Sequence, residues 1–367
     1  MPPNMPQEVL NKNRCPEDDS MKTRITELFK IQHPIVLSPM ASVSRAPLVI
    51  ATCNAGGLGL FAPPGLTPEQ VRQQIREIRE RTNGKPFGVN IMPIMPKVRE
   101  LIQVLIEEEV PVWTSAFRNP LTFFNIKKPD NVLFLPAVGS ARQALSVERH
   151  GADAVIVQSW ESGGHSSLIA SSVLIPEVVK AVKIPVVAAG GFCDGKGLAA
   201  ALALGAEGIA MGTRFAITQE SPLPAELKLK YIEARDTDAV LSAVWDGMPM
   251  RAISKMRRYH GWWTHPWDVI PSILATKREF NASWKEIMEN AKYVRQMRGS
   301  LPQFAIGQAM FRKAVDTGDI TKAFSPAGQV VGSIEDIPAC RELIERTVAE
   351  AGQTIRSLYS RVSNQSV

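Results

Sequence analysis

The sequence predicts an α/β protein: a closed (β/α)8 TIM barrel carrying an inserted helical subdomain on its substrate side. Three observations predict it. From residue 34 to about 215, eight short apolar runs alternate with stretches of helical periodicity. Those runs are nearly continuous in apolar residues, as expected of parallel strands covered on both faces. Glycines and amides cluster where the runs end, and a parallel barrel gathers its reactive groups at those ends.

The elements follow in order. Met1 to Ser20 is polar and carries prolines. It lacks the apolar core of a signal peptide, so 1–22 reads as a disordered lead-in. The eight predicted strands are Pro34–Met40, Gly57–Phe61, Phe87–Pro93, Pro111–Ala116, Val132–Val138, Ala154–Trp160, Pro185–Gly191 and Gly208–Arg214. Helices are predicted at Pro68–Arg81, Lys97–Glu108, Ala141–His150, Ser172–Val182 and Gly195–Leu204. The fourth crossover, Arg118–Asp130, contains two prolines and leaves room only for a short helix. Residues 221–310 hold helical stretches with Trp245, Trp262, Trp263, Trp267 and Trp284, and with His260 and His265. This segment reads as a substrate-side subdomain whose tryptophans form its small core. Ser333–Ser360 reads as a long helical region that packs back on the barrel. The barrel would thus comprise 23–220 and 311–367.

Composition excludes several classes. The formal charge of +6 on 367 residues is mild and the basic residues are scattered, so nucleic acid is not expected as a partner. No run of about 18 apolar residues exists, so no membrane span is expected. Cys15, Cys53, Cys193 and Cys340 form no C-x-x-C pair, which suits reduced thiols in a cytoplasmic protein. No His, Asp and Glu cluster has metal-ligand spacing, so no metal is expected. Oligomeric state has no signal.

The chemistry begins at the seventh predicted strand. It runs through Ala188-Ala189 into Gly190-Gly191 and then a helix start, and the next strand ends in Met211-Gly212-Thr213-Arg214-Phe215. Glycines let backbone N–H groups approach phosphate oxygens, and a helix N-terminus adds partial positive charge. In many barrels these two loops build a phosphate pocket. The order of residues is neither a Walker loop nor a G-x-G-x-x-G turn. The sixth strand runs into Gln158-Ser159-Trp160-Glu161-Ser162-Gly163-Gly164-His165. His165, on a loop over the barrel mouth, can carry a proton near neutral pH or hold an anion. Asn90 and Gln158 are amides at the ends of apolar strands, able to donate and to accept hydrogen bonds. Glu161 is read as orienting the loop, and His33 and His150 as structural.

At this point the residues resemble a known family. Pro34 to Met40, Asn54-Ala-Gly-Gly-Leu-Gly59, Asn90-Ile91, Gly163-Gly164-His165, Ala188 to Gly191, Met211 to Phe215 and Ala327-Gly328-Gln329 look like successive signatures of nitronate monooxygenases. The resemblance implies FMN without a metal. Met40, Asn90, Gln158, Gly163, Gly164, Gly190, Gly191, Met211, Gly212 and Thr213 would line the flavin and its phosphate, and His165 matches the family's catalytic histidine. It further implies oxidation of alkyl nitronates, and in some members nitroalkanes, by O2 to carbonyl compounds and nitrite. The family's loop resembles Q-G-x-E-A-G-G-H-x-G, whereas this chain has Ser159, Ser162 and Ser167 in place of two glycines and an alanine; those side chains are expected to narrow or polarise the mouth. Two further readings stay open: a related FMN-dependent NAD(P)H reductase of the enoyl-thioester or quinone type, and a non-catalytic flavin-binding protein.

Overall fold

The computed structural model describes residues 21–92, 97–115, 127–254, 301–321 and 323–363, with isolated helical positions between 270 and 288. The strands are β1 (Ile35–Leu37), β2 (Leu58–Phe61), β3 (Phe87–Asn90), β4 (Val112–Ser115), β5 (Leu133–Val138), β6 (Val155–Gln158), the two-residue β7 (Gly164–His165), β8 (Val186–Ala189) and β9 (Ile209–Met211). All of them except β7 pair in parallel, in the order β1-β2-β3-β4-β5-β6-β8-β9. Val36 opposite Ala210 closes β9 onto β1. The eight predicted strands are therefore the eight staves of a (β/α)8 barrel, each trimmed at its ends.

Side chains that alternate along these strands separate an inside from an outside. Val36, Leu58, Leu60, Val112, Leu135, Ile156, Val187, Ala189 and Ala210 form one buried cluster inside the barrel. Ile25 and Phe29 join that cluster from helix Arg24–Phe29. Thr23 starts this helix with a capping box, its hydroxyl accepting from the Thr26 N–H. Arg24 then donates to Glu207 and to the Lys183 carbonyl, both just ahead of the strands they precede. The helix thus plugs the N-terminal end of the barrel. The other face of the strands packs on the surrounding helices in a second, larger cluster.

The helix Ala46–Asn54, between β1 and β2, was not predicted from the sequence. Ala46, Leu48, Val49, Ile50, Thr52 and Cys53 are all buried, so the helix has almost no polar face to give it a readable period. The fourth crossover falls largely on 116–126, outside the described residues.

After β9 and the four-residue helix Thr213–Ala216, the chain leaves the barrel. The described part of the predicted helical insertion contains helix Ala225–Ile232, but also β10 (Val240–Ser242) and β11 (Met250–Ile253). β11 pairs antiparallel with β10, with β7 and with β12 (Ser325–Pro326), making a small second sheet. Strands this short leave no alternation to read. Trp245 is buried in the core beneath that sheet with Met250, Ala252, Phe311 and Phe324, its ring 5.1 Å from that of Phe324. Trp284 is exposed. Trp262, Trp263, Trp267, His260 and His265 lie outside the described residues.

The C-terminal helix begins at Cys340, later than the predicted Ser333, because Gln329–Ser333 forms a separate 3-10 turn and Pro338, which lacks an N–H to donate, disfavours a helix running through it. It packs on helix Gly195–Ala203, where Glu350 accepts from the Gly195 N–H, and Arg341 donates to Asn54 on helix Ala46–Asn54. It thus lies between the helices that follow β8 and β1 and fills the place of the barrel's eighth helix.

Candidate active site

With the N-terminal end plugged, the site is built at the opposite end. Continuing the inward alternation one step past the apolar layer reaches Ser38 after β1, Asn90 on β3, Thr114 on β4, Gln158 on β6 and Gly212 after β9. The barrel interior therefore changes from apolar to polar within one residue layer. Asn90 and Thr114 are neighbours in register and almost fully buried. Asn90 Oδ1 and Thr114 Oγ1 nevertheless have no hydrogen-bond partner among the described residues. A buried polar atom without a partner costs about 1–3 kcal/mol, so this layer is complementary to a polar ligand.

Met40 follows Ser38, and its Sδ is the atom nearest to where a Cβ on Gly212 would stand, at 3.6 Å. Gly190 and Gly191 follow β8 with φ of +105° and +82°, a conformation that favours glycine. A Cβ on Gly190 would stand 2.3 Å from Ser159 Oγ and 2.5 Å from Ser162 Oγ. Met211 ends β9 and Thr213 follows, its Oγ1 accepting from the Gly328 N–H at 2.9 Å. The sequence-predicted residues after β1, β8 and β9 thus border one end of the barrel. One expectation needs correction. The N-terminus of helix Gly195–Ala203 already serves two carboxylates: Asp194 accepts from the Gly197 N–H at 2.7 Å and Glu350 from the Gly195 N–H at 2.8 Å.

The loop after β6 brings in His165. Gly163 packs so closely on Ala327 and Gly328 that a Cβ would stand 2.7 Å from their backbone. Glu161 accepts from the Ser171 N–H and hydroxyl, so it orients the loop as expected. His165 then lies in β7, directly opposite Met250 of β11. Its Nε2 is 2.8 Å from Asp246 Oδ2. This close approach lacks the alignment of a linear hydrogen bond. The Asp246 side chain is fully buried, and that of His165 is 21% exposed. Nearby, Arg251 donates to the Trp160 and Ala239 carbonyls and stacks on the Trp160 ring at 5.2 Å. Burial pulls its guanidinium below the usual range, with Glu161 opposing the shift.

Sequence reasoning missed Asp246, Thr114 and Arg251. Asp246 follows a tryptophan in an apolar setting, which is the one available signal, but no spacing rule links it to a histidine some eighty residues earlier. Among the described residues no group of three or more His, Cys, Asp or Glu is arranged to hold a metal ion.

A family model for nitronate monooxygenase matches residues 22–101 and 97–350. The chain belongs to the nitronate monooxygenase family. It is 36% identical over 365 residues to (3aS,4S,5R,7aS)-5-hydroxy-7a-methyl-1-oxo-octahydro-1H-indene-4-carboxyl-CoA dehydrogenase of Rhodococcus jostii (strain RHA1), covering 92% of this chain and 98% of that relative. It is similar to the structure of FabK from Thermotoga maritima, at 34% identity and a TM-score of 0.76, with 93% of this chain and all of the other covered. The nitroalkane oxidase from Streptomyces ansochromogenes is similar at 27% identity and a TM-score of 0.71, over 92% and 100% of the two chains. This nitronate monooxygenase family member is accordingly an enzyme, an oxidoreductase.

The serines that distinguish its loop do not crowd the mouth uniformly. Ser159 is fully buried and donates to the Ala189 carbonyl, and Ser167 donates to the Gly139 carbonyl, so both tie loops together. Ser162 Oγ is buried beside Gly190 without a partner.

Proposed function

We propose that this family member is an FMN-dependent oxidoreductase acting on a carboxyl-CoA thioester, with His165 carrying the substrate proton. The observation that carries the cofactor is the pair of buried, unpartnered atoms Asn90 Oδ1 and Thr114 Oγ1 at the barrel end that also holds His165. A flavin ring offers polar edge atoms to such a layer. Asn90 and Gln158 would bond that edge, and Met40, Gly163, Gly164 and Met211 would line it. Gly190, Gly191, Gly212 and Thr213 would meet the phosphate through backbone. Bound FMN supplies two-electron chemistry that no side chain can provide. The protein's part is to orient the substrate and manage its proton. His165 suits that part because imidazole titrates near neutral pH. The thioester is supported by the Rhodococcus dehydrogenase, which matches over nearly its whole length.

A second reading is oxidation of alkyl nitronates or nitroalkanes by O2 to carbonyl compounds and nitrite. The family match and the likeness to a nitroalkane oxidase support it. A protonated His165 would then steady an anionic nitronate. One anaerobic experiment separates the readings. The purified, yellow enzyme is mixed separately with a hydroxylated carboxyl-CoA thioester, with NAD(P)H and with ethyl nitronate, and flavin absorbance is followed. Bleaching by the thioester is the expected result. Bleaching by NAD(P)H alone assigns a reductase. Bleaching by ethyl nitronate alone, with nitrite released when O2 is admitted, establishes the second reading. A folded protein that is colourless and takes up no FMN defeats them all.

A further inference from the structure

We infer that Asp246 is the positioning residue of His165: a buried carboxylate, delivered by the segment after β10, that sets the orientation and charge of the imidazole. The inference rests on the proton-carrying role proposed for His165, and its test has a readout that does not depend on turnover.

Burying a carboxylate is costly unless it is paired. Asp246 is fully buried, in the core of the small second sheet and not in the barrel. One oxygen, Oδ1, accepts from the Met248 N–H at 3.1 Å and so fixes the side chain to its own turn. The other, Oδ2, lies 2.8 Å from His165 Nε2. The surroundings hold both groups in place. β11 pairs Met250 with His165 on one side. On the other, helix Leu301–Thr317 presents Gly307, where a Cβ would stand 2.6 Å from Asp246 Cβ and 2.5 Å from the Trp245 carbonyl. Any side chain at 307 would therefore displace the carboxylate. Of the charged groups on the packed elements, the Arg251 guanidinium is engaged with the Trp160 and Ala239 carbonyls. The Asp246 carboxyl group thus faces the His165 imidazole.

A carboxylate so placed does two things for an imidazole. It favours the tautomer with the proton on Nε2, because the partner of one ring nitrogen determines which nitrogen is protonated. It also stabilises the imidazolium that forms when the ring takes a proton. The unaligned approach is of the kind that tightens when substrate binds.

The test is Asp246→Asn, which keeps the shape and an acceptor for the Met248 N–H. With the substrate that bleaches the flavin, kcat is expected to fall about 10- to 100-fold, by analogy with lost partners of other oriented histidines. KM is expected to stay within about threefold. Asp246→Glu should restore part of kcat. In parallel, 15N NMR of the imidazoles in the FMN-loaded protein, with the His165 signal assigned by its loss in His165→Asn, should report a single Nε2–H form in the parent and a mixture in Asp246→Asn. Unchanged kcat together with an unchanged imidazole signal overturns the inference. If the parent turns over neither thioester nor nitro compound, the proposed function fails, and the imidazole signals alone still decide whether Asp246 sets the ring.

Discussion

Asn90 and Gly190 define the site by opposite means, one by an unmet need and the other by an absence of side chain. Asn90 Oδ1 is buried with nothing to accept from among the described residues. If FMN binds as proposed, Asn90→Ala removes a group whose contribution comes chiefly through that ligand. FMN affinity is expected to fall about tenfold, the worth of roughly one hydrogen bond, in a fluorescence titration. The ligand-free protein should meanwhile keep its thermal midpoint within a few degrees. A large loss of stability without loss of affinity would assign Asn90 to the scaffold. Gly190→Ala should behave the other way. The added Cβ meets Ser159 and Ser162 and must adopt φ of +105°. A cost on the order of 3 kcal/mol is expected in urea unfolding, and trimming the opposing hydroxyls with Ser159→Gly and Ser162→Ala should recover only the steric part.

Among the elements, the staves of the barrel were legible because each is a short apolar run with a glycine or proline boundary. Helix Ala46–Asn54 was not, since it is buried on most sides and shows no amphipathic period. The glycine pair after β8 was legible as a close-approach site, whereas the capping of the next helix by Asp194 and Glu350 was not. Glu350 lies 155 residues beyond Gly195, and only the folded chain brings the two together. The same limit hid Asp246. Arg214 shows it again. It was read within the Met211–Phe215 motif, yet its buried guanidinium turns to Asp336, with Nη2 to Oδ1 at 2.6 Å and Nη1 to the Asp336 carbonyl at 3.0 Å. The Arg346 hydrogen bond, with further help from Arg214, holds the Asp336 carboxyl below the ordinary 3.8 against the opposing effect of burial. A depressed folded-state value means that this link is complete above pH 3.8 and is lost as pH falls through the depressed value. Asp336→Ala should cost about 1 kcal/mol at neutral pH, since solvent screens a carboxylate that is nearly half exposed. The difference from the parent should shrink in urea unfolding below pH 3.8, and a constant difference at all pH values would reject the link.

At the scale of the whole molecule, the C-terminal helix closes the ring of helices over the seam between β9 and β1. Cys53, Cys193 and Cys340 are buried in the packing around that seam, and burial pushes each thiol from an ordinary 9.0 up to about 12. Below pH 9 these thiols are protonated in both folded and unfolded chains and leave stability unchanged. Between 9 and 12 only the unfolded chain releases their protons, so stability falls as pH rises. The slope should approach about 4 kcal/mol per pH unit for three thiols at roughly 1.4 each. Replacing all three with serine or alanine should flatten it, and an equally steep slope in that variant would place its origin elsewhere. The thiols should also resist a disulfide reagent at pH 8 until the barrel unfolds.

The pairing of β7 with β11 has a consequence for how such enzymes diversify. The histidine is stitched to a hairpin that the barrel itself does not encode, while the glycine turns after β8 and β9 belong to the staves. His165 itself stays with the loop after β6, while Asp246 comes with the hairpin. Grafting the 240–254 hairpin of one relative onto the staves of another should therefore change how the proposed proton carrier is held and leave the proposed cofactor turns as they were.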